Sequence, residues 1–192
     1  FVSGTFDATK DYELLGEKLG NIDGEWKTCA NKLFYLSVAP EFYTSICKKL
    51  HETHLTDPCS PEEGWTRVIV EKPFGKDLKT AEELDMLLSK LFEEVQIYRI
   101  DHYLAKEMIQ NILTFRFSND LFEHQWNKNF IEKIDIRVWE TLGVEERGAF
   151  YDGVGALRDV GQNHLLQMLA FVTMNEPSAF TSEAIREKRA EL

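Results

Sequence analysis

A chain of 192 residues has room for one large domain or two small ones, and its 43% hydrophobic and 29% charged residues are those of a globular protein with an ordinary core. A net charge of -11 argues against a nucleic-acid backbone as the main partner. No apolar run reaches the length of a membrane span, and the first residues do not resemble a secretory signal.

Asp11 to Leu19 carries helical apolar spacing, and Leu33-Phe34-Tyr35-Leu36-Ser37-Val38 has the pattern of a buried strand that stops at Ala39-Pro40. Glu41 to Leu50 is helical again, with Phe42, Ile46 and Leu50 on one stripe. Arg67-Val68-Ile69-Val70 is a second strand, halted by Pro73 and Gly75. Asp77 to Glu94 forms an amphipathic helix whose Leu84, Leu87, Leu88 and Leu91 face a core, and Gln96-Ile97-Tyr98-Arg99-Ile100 is a third strand. This alternation implies βαβ units around a parallel sheet, hence an α/β fold class. Ligands of such sheets gather beyond the carboxyl ends of the strands. Three features lie there: Ala39-Pro40, Glu71-Lys72-Pro73 and Asp101-His102. Lys72, between a strand and a proline, is either held in that crevice or is a surface lysine before a turn.

The rhythm changes after Asp101. The segment Arg99-Ile100-Asp101-His102-Tyr103-Leu104-Ala105-Lys106-Glu107 packs a carboxylate, an imidazole, a phenol and an ammonium into one short stretch. His102 and Lys106 are four apart, so on a helix they share one face, at the end where free N–H groups and the dipole favour phosphate. The plain alternative is a capped, partly exposed helix. A helix over Lys106–Phe117 comes next, then Ile134-Asp135-Ile136-Arg137-Val138-Trp139, whose alternation marks a half-exposed strand. A loop through Gly143, Gly148 and Gly153 leads to a long, mostly buried helix from Leu157 to Met174. The domain transition is expected near Asp101, giving domains 1–100 and 101–192. Cys29, Cys47 and Cys59 are an odd set without metal-site spacing and are expected to be thiols in a reducing, cytoplasmic setting. His51-Glu52-Thr53-His54 has its histidines three apart, the wrong spacing for a zinc-protease helix. Gly153-Val154-Gly155-Ala156-Leu157-Arg158 lacks the third glycine of a dinucleotide fingerprint and is expected to be a turn.

Three stretches together carry a resemblance. Glu71-Lys72-Pro73-Phe74-Gly75-Lys76-Asp77, Arg99 to Gln110, and Arg158-Asp159-Val160-Gly161-Gln162-Asn163-His164-Leu165-Leu166-Gln167 occur in the order and register of the glucose-6-phosphate dehydrogenase family, which the chain strongly resembles. Val2 to Asp7, Asn127, Glu140, Arg147 to Asp152, and Ile185-Arg186 with Lys188 extend the likeness over nearly the whole chain. The resemblance implies the remainder of a Rossmann-like parallel-sheet domain followed by the first part of an α+β substrate domain. It implies oxidation of glucose 6-phosphate at C1 to the lactone, with hydride passed to NADP+, in a homo-oligomeric parent protein, a dimer or tetramer. By the same resemblance His164 is the general base and Asp101 the group that holds it. His102, Tyr103 and Lys106 hold the phosphate, Glu140 and Asp159 bind sugar hydroxyls, Lys72 reaches both sugar and nicotinamide, and Pro40 touches the cofactor.

Chemistry agrees with those roles: a base that takes a hydroxyl proton near neutral pH should titrate there, as imidazole does, and phosphate recognition needs several directed donors. Alternatives remain from the residues alone, since His164 could be a satisfied core histidine, Asp159 a partner of Arg158, and Glu140 a solvated strand end. Two departures stand out: Ala105 where the family usually has glycine, and Ser37-Val38-Ala39-Pro40 in place of a double-proline ending. Phe1 and Leu192 both look cut, and the family's Gly-rich phosphate loop and first strand are expected before Phe1. The chain alone is therefore expected to be inactive. A non-catalytic sugar-phosphate-binding or regulatory protein, or a dehydrogenase of another aldose phosphate, are the alternatives.

Overall fold

A computed structural model describes residues 1–60, 63–118, 120–139, 141, 143–145 and 148–192. The chain divides into two compact units, Phe1–Ile100 and Asp101–Leu192.

The first unit is a three-stranded parallel sheet of order β1 (Lys32–Leu36), β2 (Thr66–Val70), β3 (Ile97–Arg99) with helices between the strands. Lys32 pairs with Thr66 and Leu36 with Val70; Val68 pairs with Ile97 and Val70 with Arg99. Helix α1 (Thr9–Trp26) precedes β1, α2 (Tyr43–Glu52) joins β1 to β2, and α3 (Leu78–Leu91) joins β2 to β3. The α/β reading of the sequence holds for this unit. Thr66, Val68 and Val70 of the central strand are buried, and with Tyr12, Tyr43, Ile46, Leu50, Leu88 and Ile97 they form the core. Strand β1 differs from the expected buried strand: Leu33 and Tyr35 are exposed and only Leu36 is buried, because alternate side chains point to opposite faces and the face that Leu33 and Tyr35 share is left open among the described residues.

Local chemistry sets the ends of these elements. Asp77 caps α3, its carboxylate accepting the Thr80 N–H at 2.9 Å while the Thr80 hydroxyl oxygen accepts the Asp77 N–H at 3.1 Å. Gly75, at φ +148°, lies so close to α3 that a Cβ would stand 2.5 Å from the Ala81 nitrogen, so only glycine fits after the cis Lys72–Pro73 bond. Asp23 of α1 accepts from the Ala30 N–H (3.0 Å) and the Lys32 ammonium (2.9 Å), clamping the turn into β1.

Cys29 and Cys59 are joined in a disulfide, which corrects the expectation of three thiols; folding brings their Cα atoms to 6.2 Å, although they lie 30 residues apart. Cys47 is the free thiol, wholly buried in α2, and burial pushes it up to about 12. Closing a loop of this length removes about 3.6 kcal/mol of unfolded-chain freedom. Reduction is therefore expected to lower the melting temperature by about 5–10 °C in a thermal scan, and to leave Cys29 and Cys59 open to alkylation while Cys47 stays protected. Equal melting with and without reductant would contradict the staple.

The described residues of the second unit are helical or irregular: α4 (Glu107–Phe117), α5 (Asp120–Glu123), α6 (Gly148–Ala156), a π-helix (Leu157–Leu165), α7 (Leu166–Thr173) and α8 (Ser182–Ala190). Tyr103, Ile109, Leu113, Met168, Phe171 and Met174 form its core. Three expectations are corrected here. Ile134 to Trp139 joins no sheet among the described residues; Ile136 and Val138 pack on the core, but the stretch finds no backbone partner in this unit, and a ladder needs one. The glycine loop is helical from Gly148, with the break at Gly155, φ +70°. The long helix is π-helical in its first half, and its Leu157 and Leu166 side chains are exposed rather than buried. No helix of the described residues is long and apolar enough to cross a membrane.

Candidate active site

Asp101 opens the second unit, and its side chain organises the turns that lead into α4. Its Oδ1 accepts the Tyr103 N–H at 3.0 Å, an Asx turn, while the Leu104 N–H donates to the Asp101 carbonyl and the Lys106 N–H to the Tyr103 carbonyl, both at 3.1 Å. Two successive turns result, and α4 starts only at Glu107 with Lys106 at the cap position. His102 and Lys106 therefore do not share a helical face, contrary to expectation, because the aspartate captures a backbone N–H ahead of the helix. Ala105 is exposed within these turns.

His164 comes from the π-helix, whose wider turns often mark functional positions. It is only 1% exposed, and its Nδ1 lies 2.7 Å from Asp101 Oδ1. With Asp101 ionised, Nδ1–H donates and Nε2 carries the lone pair that can take a proton. The Tyr103 ring stacks on the imidazole, centroids 3.9 Å apart and planes within 15°. The exposed His102 ring stands 4.9 Å from both rings, edge-on, and the Lys106 ammonium lies 3.7 Å from the Tyr103 centroid. Asp159, five residues before His164 on the π-helix, is also buried.

Asp101 Oδ2 and Arg189 Nε are buried with no hydrogen-bond partner among the described residues. Native structures keep such atoms where a water, an ion or a ligand completes them, or where chemistry uses them. Burial, and then Arg186, pull the Arg189 guanidinium below its ordinary range, while Asp101 opposes them. The residue pattern alone did not single out Arg189. Its signal was the one-turn spacing from Ile185, which packs on the core of this unit. Donor atoms of Asp101, His102 and His164 lie within 4.8 Å of one another, near enough for a metal ion. Asp101 Oδ1 and His164 Nδ1 are committed to their mutual hydrogen bond, which suits the arrangement to moving a proton.

The remaining predicted residues lie elsewhere. Pro40 begins a short 3-10 turn after β1 and is exposed. Lys72 comes after β2 and is half-buried. The preceding Glu71 is fixed on both sides, its carbonyl accepting the Tyr43 hydroxyl at 3.0 Å and its carboxylate the Tyr35 hydroxyl, so the backbone entering Lys72 is held. Both residues belong to the first unit, beyond the carboxyl ends of β1 and β2. Glu140 and Arg147 lie outside the described residues.

Family models for the glucose-6-phosphate dehydrogenase NAD-binding domain and for its C-terminal domain match residues 1–111 and 113–192. The chain is 49% identical over 182 residues to a glucose-6-phosphate 1-dehydrogenase of Aggregatibacter actinomycetemcomitans, covering 95% of this chain and 36% of that relative. It is 41% identical over 195 residues to the Arabidopsis thaliana protein named glucose-6-phosphate 1-dehydrogenase 6, cytoplasmic, of which it covers 38%. A solved structure described as glucose-6-phosphate dehydrogenase in complex with its substrate glucose-6-phosphate superposes with a TM-score of 0.84 at 38% identity, over 98% of this chain and 38% of that one. The chain thus spans a little over a third of the length of the curated relatives it matches.

Proposed function

Because the chain belongs to the glucose-6-phosphate dehydrogenase family, we propose that the whole protein oxidises glucose 6-phosphate at C1 to the lactone and passes hydride to NADP+. The observation that carries this reading is the buried His164–Asp101 pair, 2.7 Å across, next to His102, Tyr103 and Lys106. His164 Nε2 takes the proton of the C1 hydroxyl. Asp101 keeps Nδ1 protonated beforehand and stabilises the imidazolium afterwards. His102, Tyr103 and Lys106 bind the phosphate, and Asp159 and Glu140 take sugar hydroxyls. Hydride acceptance is the chemistry the bound NADP+ supplies.

The residues present fit that cofactor. Parallel α/β sheets bind nucleotides beyond their carboxyl ends, and Pro40 and Lys72 lie past the carboxyl ends of two parallel strands, with Lys72 entered from a fixed backbone. Those two residues would hold it. A cytoplasmic setting belongs to this proposal, supported by the name of the Arabidopsis relative, as does a homo-oligomeric whole protein.

The test is glucose-6-phosphate-dependent reduction of NADP+ by the whole protein, followed by the absorbance of the reduced nicotinamide. Turnover that needs both compounds is the expected result. Sugar phosphate bound without turnover would overturn the reading in favour of a binding protein, and preference for another aldose phosphate would reassign the substrate.

A further inference from the structure

We propose that Arg189 of α8 is a positioning residue for Asp101, holding the carboxylate oxygen that His164 does not use and acting on the base through it. The inference rests on the reading of His164 as the base. Asp101 Oδ1 accepts from His164 Nδ1 and the Tyr103 N–H, whereas Oδ2 is buried and accepts from no described residue. Such atoms are few among the described residues. Arg116 Nε and Glu123 Oε2 belong to one ion pair already joined through Nη2. The others are Asp101 Oδ2, Gln167 Oε1 and Arg189 Nε, and Arg189 Nε is the one donor of these three. A buried donor and a buried carboxylate oxygen cost more apart than joined.

Helix packing brings Arg189 to this place from the far end of the second unit. Ala184 of α8 is buried, Ile185 packs on the core, and Arg189 is one turn on from Ile185. Its guanidinium lies 5.3 Å from the ring of Phe171, which is one turn past Gln167 on α7, and α7 continues the π-helix that carries His164. Asp101 is near enough for its charge to oppose the shift that burial and Arg186 impose on the guanidinium. Of the two acceptors, the carboxylate of Asp101 matches the guanidinium in charge and the amide oxygen of Gln167 does not. The charged and titratable groups around the Asp101–His164 pair are Arg189 and the exposed Arg186 on α8, His102, Tyr103 and Lys106 on the turns, and the buried Asp159 on the π-helix. A cation beside the pair makes a further proton harder to add, whichever of the two residues takes it. Arg189 thus keeps Asp101 ionised and His164 neutral, the state in which Nε2 is a base.

The experiment compares Arg189→Gln, Arg189→Lys and, as a control, Arg186→Gln in the whole protein. It reads the pH profile of kcat/KM, the separate kcat and KM, and the titration of His164 by NMR with labelled histidine. Arg189→Gln should move the acid-side inflexion and the His164 titration up by about half a pH unit or more, and lower kcat about three- to tenfold with KM little changed. Arg189→Lys keeps the cation and should return the inflexion to its wild-type position. Arg186→Gln removes an exposed charge from the same helix and should leave the profile where it is. An unmoved inflexion in Arg189→Gln, which is what pairing of Arg189 with Gln167 alone predicts, would overturn the proposal. So would an equal shift in Arg189→Lys or Arg186→Gln. Should Arg189→Gln not fold, the wild type decides through the Nε–H resonance of Arg189, assigned by its loss in Arg189→Lys. That resonance should shift across the His164 titration, and a flat one overturns the proposal. If the wild type does not oxidise glucose 6-phosphate, the functional reading falls by itself, and the NMR titrations still support or refute the link from Arg189 to the pair.

Discussion

Replacing His164 by asparagine is expected to lower kcat for glucose 6-phosphate oxidation by about a thousandfold, with little change in KM. The imidazole is buried, and its Nδ1 is committed to Asp101. On the proposed reading Nε2 is the atom that takes the hydroxyl proton, and an amide cannot accept a proton near neutral pH. The same proposal rests ground-state binding on other groups, Lys106 and His102 on the phosphate, which is why KM should hold. Asp101→Asn should fall less far, by about a hundredfold. Its amide no longer stabilises the imidazolium, and it can present an N–H to Nδ1 and so leave the proton on the wrong nitrogen. Steady-state kinetics of both variants in the whole protein checks this. Losses confined to KM would remove His164 from the proton-transfer step.

The largest expected effect on stability lies away from the chemistry. Arg116 of α4 is 2% exposed, and its Nη1 donates to the carbonyls of Phe171 and Val172 at 3.0 Å each. Those carbonyls belong to the last turn of α7, where helix geometry leaves acceptors without partners. Nη2 reaches Glu123 at 3.4 Å, and the rings of Phe117 and Trp126 lie 4.4 and 5.3 Å from the guanidinium. Burial pulls this guanidinium below its ordinary range and Glu123 opposes the shift. Arg116→Met fills the space but takes the Arg116 donor from the Phe171 carbonyl and the Glu123 carboxylate and leaves the Val172 carbonyl to Trp126 alone. It should cost about 3–5 kcal/mol, read by denaturant unfolding of the second unit. A cost below about 1 kcal/mol would mean that Trp126, whose Nε1–H also donates to the Val172 carbonyl at 2.7 Å, suffices alone.

Much of the fold was legible because it is local. The apolar spacing of α1, α2 and α3, the strands ending at Leu36, Val70 and Arg99, and the stops at Pro40 and Pro73 all arise from neighbours a few residues apart. The misreadings share a cause. Ile134 to Trp139 alternates as a strand does, yet alternation reports a half-buried surface and not the presence of a ladder partner. Leu33 to Leu36 is apolar throughout, yet apolar residues alone do not reveal that one face of β1 is left open among the described residues. Cys29 and Cys59 have no informative spacing, and only the turns that precede β1 and β2 bring their sulfurs together.

The site divides along the same line. Three motifs in register were enough, by resemblance, to name the family and to nominate Asp101 and His164. Composition and spacing said only that imidazoles, carboxylates and an ammonium were available. The tertiary structure decided that Asp101 spends one oxygen on both the Tyr103 backbone and His164, that a tyrosine ring lies between the imidazole and Lys106, and that the Arg189 guanidinium of α8 is near enough to Asp101 to feel its charge. The sequence by itself determined which segments of the first unit are helices and parallel strands, because those depend on backbone preferences and periodicity over a few residues. Which side chains meet across 63 positions of chain depends on how the π-helix packs against the turn at Asp101, and no local pattern encodes that distance.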